Sequence, residues 1–84
     1  PMPLLEQVRA ANCAVCYTEF WIAYRYRFLD GEQRAWIPYL SQNRTYREAV
    51  AAQRLPGQRC LITDEGEVRK IAGDLRLRHR PPGR

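Results

Sequence analysis

Apolar and polar positions alternate most sharply over residues 20–28, FWIAYRYRF, where Phe20, Ile22, Tyr24, Tyr26 and Phe28 interleave with Trp21, Ala23, Arg25 and Arg27. A period of two belongs to a half-buried strand, so the spacing predicts a strand over 19–29 with the first set toward the core. The Asp30-Gly31 pair that follows is a hairpin signal. A return strand is expected over 34–40, with Ala35, Ile37 and Tyr39 on one face and Arg34, Trp36 and Leu40 on the other. Pro38 cannot donate a ladder hydrogen bond, which points to an edge strand or a strand end.

Upstream the period changes to 3.6. Leu4, Leu5, Val8, Ala11, Val15 and Cys16 share one face, and Pro3 suits a first helical position, so a helix is predicted over 3–16. Residues 15–18 suit a strand equally well, and the pattern leaves the end of this helix open. Downstream, Thr45 and Glu48 have capping-box spacing for a second helix with a narrow face of Tyr46, Ala49 and Val50. Leu55-Pro56-Gly57-Gln58 stops it. Residues 59–63 and 67–72 read as a second hairpin turning at 64–66, and Leu75 and Leu77 allow a short fifth strand. The expected order α-β-β-α-β-β is that of an α+β two-layer domain, an antiparallel sheet of about four strands with helices on one face. It spans residues 1–74, and residues 75–84 read as a basic, flexible tail.

The order hairpin–helix–strand over residues 19–63 resembles, in size and layout only, many small unrelated domains, among them small regulators encoded by phages and plasmids. That likeness implies a compact inhibitor or adaptor.

Composition narrows the class. A chain of 84 residues with 45% hydrophobic content fits one small folded domain. The longest mostly apolar stretch, residues 20–24, is too short for a bilayer, and PMPLLEQVRA has no basic region leading into an apolar run. Three cysteines leave one unpaired, which favours reduced thiols and a cytoplasmic setting. The net charge of +5 is concentrated at the end, because residues 74–84 carry four arginines against Asp74 while residues 1–73 carry ten basic and eight acidic groups. Thirteen of the fourteen basic residues are arginine, a bias that a GC-rich genome produces as readily as selection for bidentate contacts does.

Candidate chemistry is sparse. Cys13 and Cys16 have CxxC spacing, with Cys60 and His79 as further ligands for a metal, but no second closely spaced pair exists. A redox CxxC opens a helix, whereas this one closes the predicted helix, so core cysteines are the simpler reading. His79 lies in the tail, and Ser41, the one serine, has no nucleophile-elbow motif around it. Asp64, Glu65 and Glu67 crowd a turn without the spacing of a calcium loop. No enzyme activity, cofactor or metal is expected.

What remains is the second face of the predicted strands. If Phe20, Ile22, Tyr24, Tyr26 and Phe28 pack under helices, then Trp21, Arg25 and Arg27 lie outward, joined by Arg34 and Trp36 from the neighbouring strand. The bland alternative buries both tryptophans beneath the first helix. An open Trp/Arg face fits a binding module for a larger protein or complex, since Trp, Tyr and Arg dominate hot spots. The competing ligand is RNA or single-stranded DNA, stacked on the rings and drawn by Arg76, Arg78 and Arg80 of the tail. Self-association through this face or the Pro38 edge is the third expectation.

Overall fold

The structure, a computed structural model, describes residues 2–31, 33–39 and 50–74. Leu4–Ala10 form α1, Cys13–Thr18 β1, Phe20–Leu29 α2, Ala35–Pro38 β2, Gln58–Ile62 β3 and Val68–Ile71 β4. The strands make one sheet in the order β2-β1-β3-β4. Strand β1 runs parallel to both β2 and β3, and β3 is antiparallel to β4. Helices and a four-stranded sheet in one small α+β domain are therefore present, but the sheet is mixed and the order of elements is α-β-α-β-β-β over the described residues.

Local signals explain where each element stops. Asn12 takes a left-handed φ of 55° and ends α1, with its N–H bonded to the Arg9 carbonyl at 3.0 Å. The chain released there is extended at once as β1. Gly31, at φ 64°, closes α2, its N–H reaching the Phe28 carbonyl at 3.1 Å. Helical residues 50–52 give way to a turn before Pro56 and Gly57, as predicted. The second hairpin also forms as read, with Gly66 at φ 80° in its turn.

Parallel strands need crossovers and bury both faces of their sheet. One face carries α1 and α2 over Val8, Cys13, Cys16, Ala23, Trp36, Cys60 and Ile62. The other packs Val15, Tyr17 and Ile37 against Ala52 of the segment between β2 and β3. The expectation of helices on one face only is thus corrected: among the described residues, Ala52 of the helical stretch 50–52 packs on the second face.

A one-residue bulge decides which side chains meet. Cys13 pairs with Gln58 and Val15 with Arg59, so Ala14 is the extra residue. Cys13 and Cys16 consequently face the same side, where Cys13 forms a disulfide with Cys60 and Cys16 stays a free, buried thiol. Three reduced thiols were expected, so this pairing is a second correction. Gly57 passes closely over the bulge. Its φ is 119°, and a Cβ there would come within 2.6 Å of the Ala14 Cβ.

The largest correction concerns residues 20–28, which are helix and not strand. The Asp30-Gly31 signal caps that helix instead of turning a hairpin, because a positive φ at glycine serves both geometries. The hairpin behind the likeness to phage and plasmid regulators is absent, so that likeness falls away. Pro38 does end an edge strand, as the sequence indicated. No helix among the described residues is long and apolar enough to cross a membrane. The predicted start of the second helix at Thr45 to Glu48, Ser41, and all of residues 75–84 lie outside the described residues.

Candidate functional site on the second helix

Helix α2 turns an unusual face outward. At 3.6 residues per turn, Ala23 points to the sheet and is fully buried, with Ile22, Tyr26 and Arg27 half-buried beside it. On the opposite side stand Phe20, Trp21, Tyr24, Phe28 and Leu29, all about half exposed or more, with Trp21 at 70% and Phe28 at 69%. The rings touch one another. Phe20 meets Trp21 edge to face at 5.4 Å, Phe20 and Tyr24 are stacked at 6.3 Å, and Tyr24 meets Phe28 edge to face at 5.7 Å. They form a continuous aromatic ridge, not scattered side chains. Arg25 is exposed on the same side.

The five residues expected on one Trp/Arg sheet face are separated by this geometry. Trp21 and Arg25 do share an exposed surface, that of α2. Trp36 belongs to the core at 1% exposure, stacked on Tyr26 at 5.5 Å, with its indole N–H donating to Asp30 Oδ2 at 3.2 Å. Arg34 donates through Nη1 to Asp30 Oδ1 at 2.6 Å and through Nε to the Cys13 carbonyl at 2.9 Å. Arg27 donates to the Trp36 carbonyl at 2.8 Å. These three fasten the C-terminal end of α2 to β2 and β1. Arg76, Arg78 and Arg80 lie outside the described residues.

Phe20, Tyr24 and Phe28 were expected inside and are found outside. The signal that finds them is spacing at four residues: 20, 24 and 28 form one row, and 21, 25 and 29 a second.

The remaining polar groups do not assemble a reactive set. Burial pushes the Cys16 thiol up to about 12, with nearby Arg34 opposing and Asp30 reinforcing, so it stays protonated at neutral pH and is a poor nucleophile. Tyr39 donates to Asp64 Oδ1 at 2.7 Å beside a shallow concavity of about 370 Å³. That hydrogen bond, which favours the neutral phenol, raises the Tyr39 pKa. Among the described residues, no group of three or more His, Cys, Asp or Glu side chains could hold a metal. Comparison with known protein families, curated proteins and solved structures finds no match.

Proposed function

We propose that this protein is a non-enzymatic binding module that engages a larger protein through the outward face of α2. The observation that supports this is the inversion of α2: its outward side carries the large rings, and its inward side centres on an alanine. A helix apolar all round is normally covered on all sides. The exposed part of these five side chains amounts to roughly 500–600 Å², the top of the range for the largest patch on a monomer. An interface typically takes about 800 Å² from each partner, so the ridge would supply most of one. Three ring positions four residues apart match the way an amphipathic helix fills a groove.

Nucleic acid is less well supported. A single-strand platform needs ring faces open to bases and a track of cations along the backbone. Here the rings are engaged with one another, and Arg25 is the one exposed cation on the helix.

Stability measurement separates a contact surface from a hidden core. The Trp21→Ala, Phe28→Ala double variant is expected to unfold in urea within about 1 kcal/mol of the parent, since surface substitutions rarely cost more. A loss of several kcal/mol would show that these rings pack within the chain itself, and the proposal would fail. Titration with mixed-sequence RNA and single-stranded DNA at two salt concentrations, followed by Trp21 fluorescence, is expected to show no binding. Salt-sensitive quenching in the parent, with binding lost in the double variant when followed by the anisotropy of a labelled oligonucleotide, would move the assignment to nucleic acid.

A further inference from the structure

The two rows on α2 are not equivalent. Phe20, Tyr24 and Phe28 make an unbroken apolar ridge, whereas Trp21, Arg25 and Leu29 make an apolar ridge with a cation at its centre. Helices pack by setting a ridge of one into the groove between two ridges of the other. Any surface that covers both Trp21 and Leu29 must also cover Arg25. A guanidinium taken out of water without a counter-charge opposes binding strongly. No acidic residue lies on α2, and Arg25 has no hydrogen-bond or ion-pair partner among the described residues. Arg27, by contrast, is engaged with the Trp36 carbonyl. Among the described residues no counter-charge stands beside Arg25, so a covering partner would bring one.

A second α2 helix does not supply it. Antiparallel pairing of two α2 helices about their midpoint lays Trp21 against Phe28 of the other copy, but it also sets Arg25 against Arg25. Sliding the register until Arg25 reaches Glu19 of the other copy, six residues away along the chain, leaves Phe28 and Leu29 uncovered. The face is complementary to something acidic, not to itself.

We infer that the occupant of the α2 face is an acidic amphipathic helix of a different protein, whose apolar ridge seats between the two α2 rows and whose central carboxylate takes Arg25 in a bidentate pair. This rests on the reading of α2 as a docking helix and names what docks there. Arginine suits the role because its planar fork matches a carboxylate, and pairs of that kind set specificity and register at interfaces.

The test uses the whole chain and a displayed library of randomised helical peptides about 15 residues long, enough to span α2 at 1.5 Å per residue. Peptides are selected on the parent and counter-selected on Trp21→Ala, Phe28→Ala. Winners are expected to carry an Asp or Glu within an apolar stripe. Arg25→Glu should weaken them roughly tenfold or more, and exchanging the peptide acid for arginine should restore binding to Arg25→Glu. Circular dichroism checks that Arg25→Glu stays folded, as an exposed substitution should.

Winners that are neutral or basic, or that bind Arg25→Glu undiminished, would overturn the acidic occupant while leaving α2 a docking helix. Failure to obtain any peptide that discriminates the parent from Trp21→Ala, Phe28→Ala would overturn the docking reading itself. A doubled mass in light scattering that reverts in Trp21→Ala would overturn the inference in favour of a second copy.

Discussion

At the scale of single residues, Asp30 holds Trp36 and Arg34 inside the fold. Its carboxylate is fully buried and accepts hydrogen bonds from Arg34 and from the Trp36 indole, while its backbone N–H continues the α2 ladder to Tyr26. That one side chain fixes Trp36 beneath α2 and uses Arg34 internally, which leaves Trp21 and Arg25 as the outward pair. Asp30→Ala removes the only acceptor these two donors share among the described residues and leaves the Arg34 charge poorly compensated. We expect a loss of about 3–5 kcal/mol in urea unfolding. Trp36→Phe keeps the Asp30–Arg34 pair and should cost less than Asp30→Ala. A cost for Asp30→Ala below about 1 kcal/mol would mean the pair is exposed to water.

At the scale of elements, the sheet is tied together by Arg59, whose side chain reaches four acceptors. It donates to the carbonyls of Ala52, Gln53 and Gly57, and to Asp74 Oδ1 at 2.8 Å. Tyr17 of β1 donates to the same Asp74 oxygen at 2.9 Å. The bonds to Ala52 and Gln53 place a cation at the C-terminal end of helical residues 50–52, where orphaned carbonyls favour it. Asp74 in turn joins β1, β3 and the chain after β4. The hydrogen bond from Arg59 lowers the Asp74 pKa below its ordinary 3.8, partial burial opposes the shift, and the Tyr17 hydroxyl adds to it. A carboxyl whose folded pKa is depressed contributes stability above its unfolded value and loses it as pH falls through the folded one. Unfolding free energy should therefore hold from neutral pH to about 4 and decline below. Asp74→Asn should be less stable than the parent at pH 7 and converge with it in acid. Parallel curves for the two proteins from pH 7 to pH 3 would show that Asp74 contributes nothing.

Elements also show what could be read without coordinates. The second hairpin, the stop at Pro56-Gly57 and the edge position of Pro38 were legible because each rests on local chemistry: a turn glycine, a missing N–H, a switch to alternation. Residues 20–28 were not, because eight of the ten α2 residues are apolar or aromatic and so satisfy a period of two as well as one of 3.6. The non-local fact that settles it is that residues 13–18 occupy an interior strand, paired in parallel on both sides. A parallel neighbour then has to be reached by a crossover, which a two-residue hairpin cannot provide. The same cause hid the aromatic ridge. Trp21 and Arg25 were expected outward and are exposed, but their neighbours were sought on an adjacent strand, whereas the other exposed rings lie one turn along the same helix. Asn12 was a helix-stop signal in plain view, and the Ala14 bulge left no mark in the pattern.

At the scale of the whole molecule, the fold depends on pairings between distant segments. Strand β1 meets β2 across α2 and meets β3 at a sequence separation of about 44 residues, contacts that carry a high loop-closure entropy. The Cys13–Cys60 disulfide joins β1 to β3 over a sequence separation of 47 and so closes the largest of these loops covalently. In the chain-entropy model, a loop of that length stabilises the folded state by about 4 kcal/mol through the unfolded ensemble. For a small domain that is a large share of a total of about 5–10 kcal/mol. Reduction should lower the urea midpoint accordingly, and Cys13→Ser, Cys60→Ser should reproduce the loss without reductant. Cys16→Ala distinguishes the bridge from a general sensitivity of buried thiols: it should leave the difference between oxidised and reduced protein unchanged. A reduced protein as stable as the oxidised one would place the holding force in the two apolar layers alone. A Cys16→Ala chain that no longer responds to reductant would assign the bridge to a different pair of cysteines.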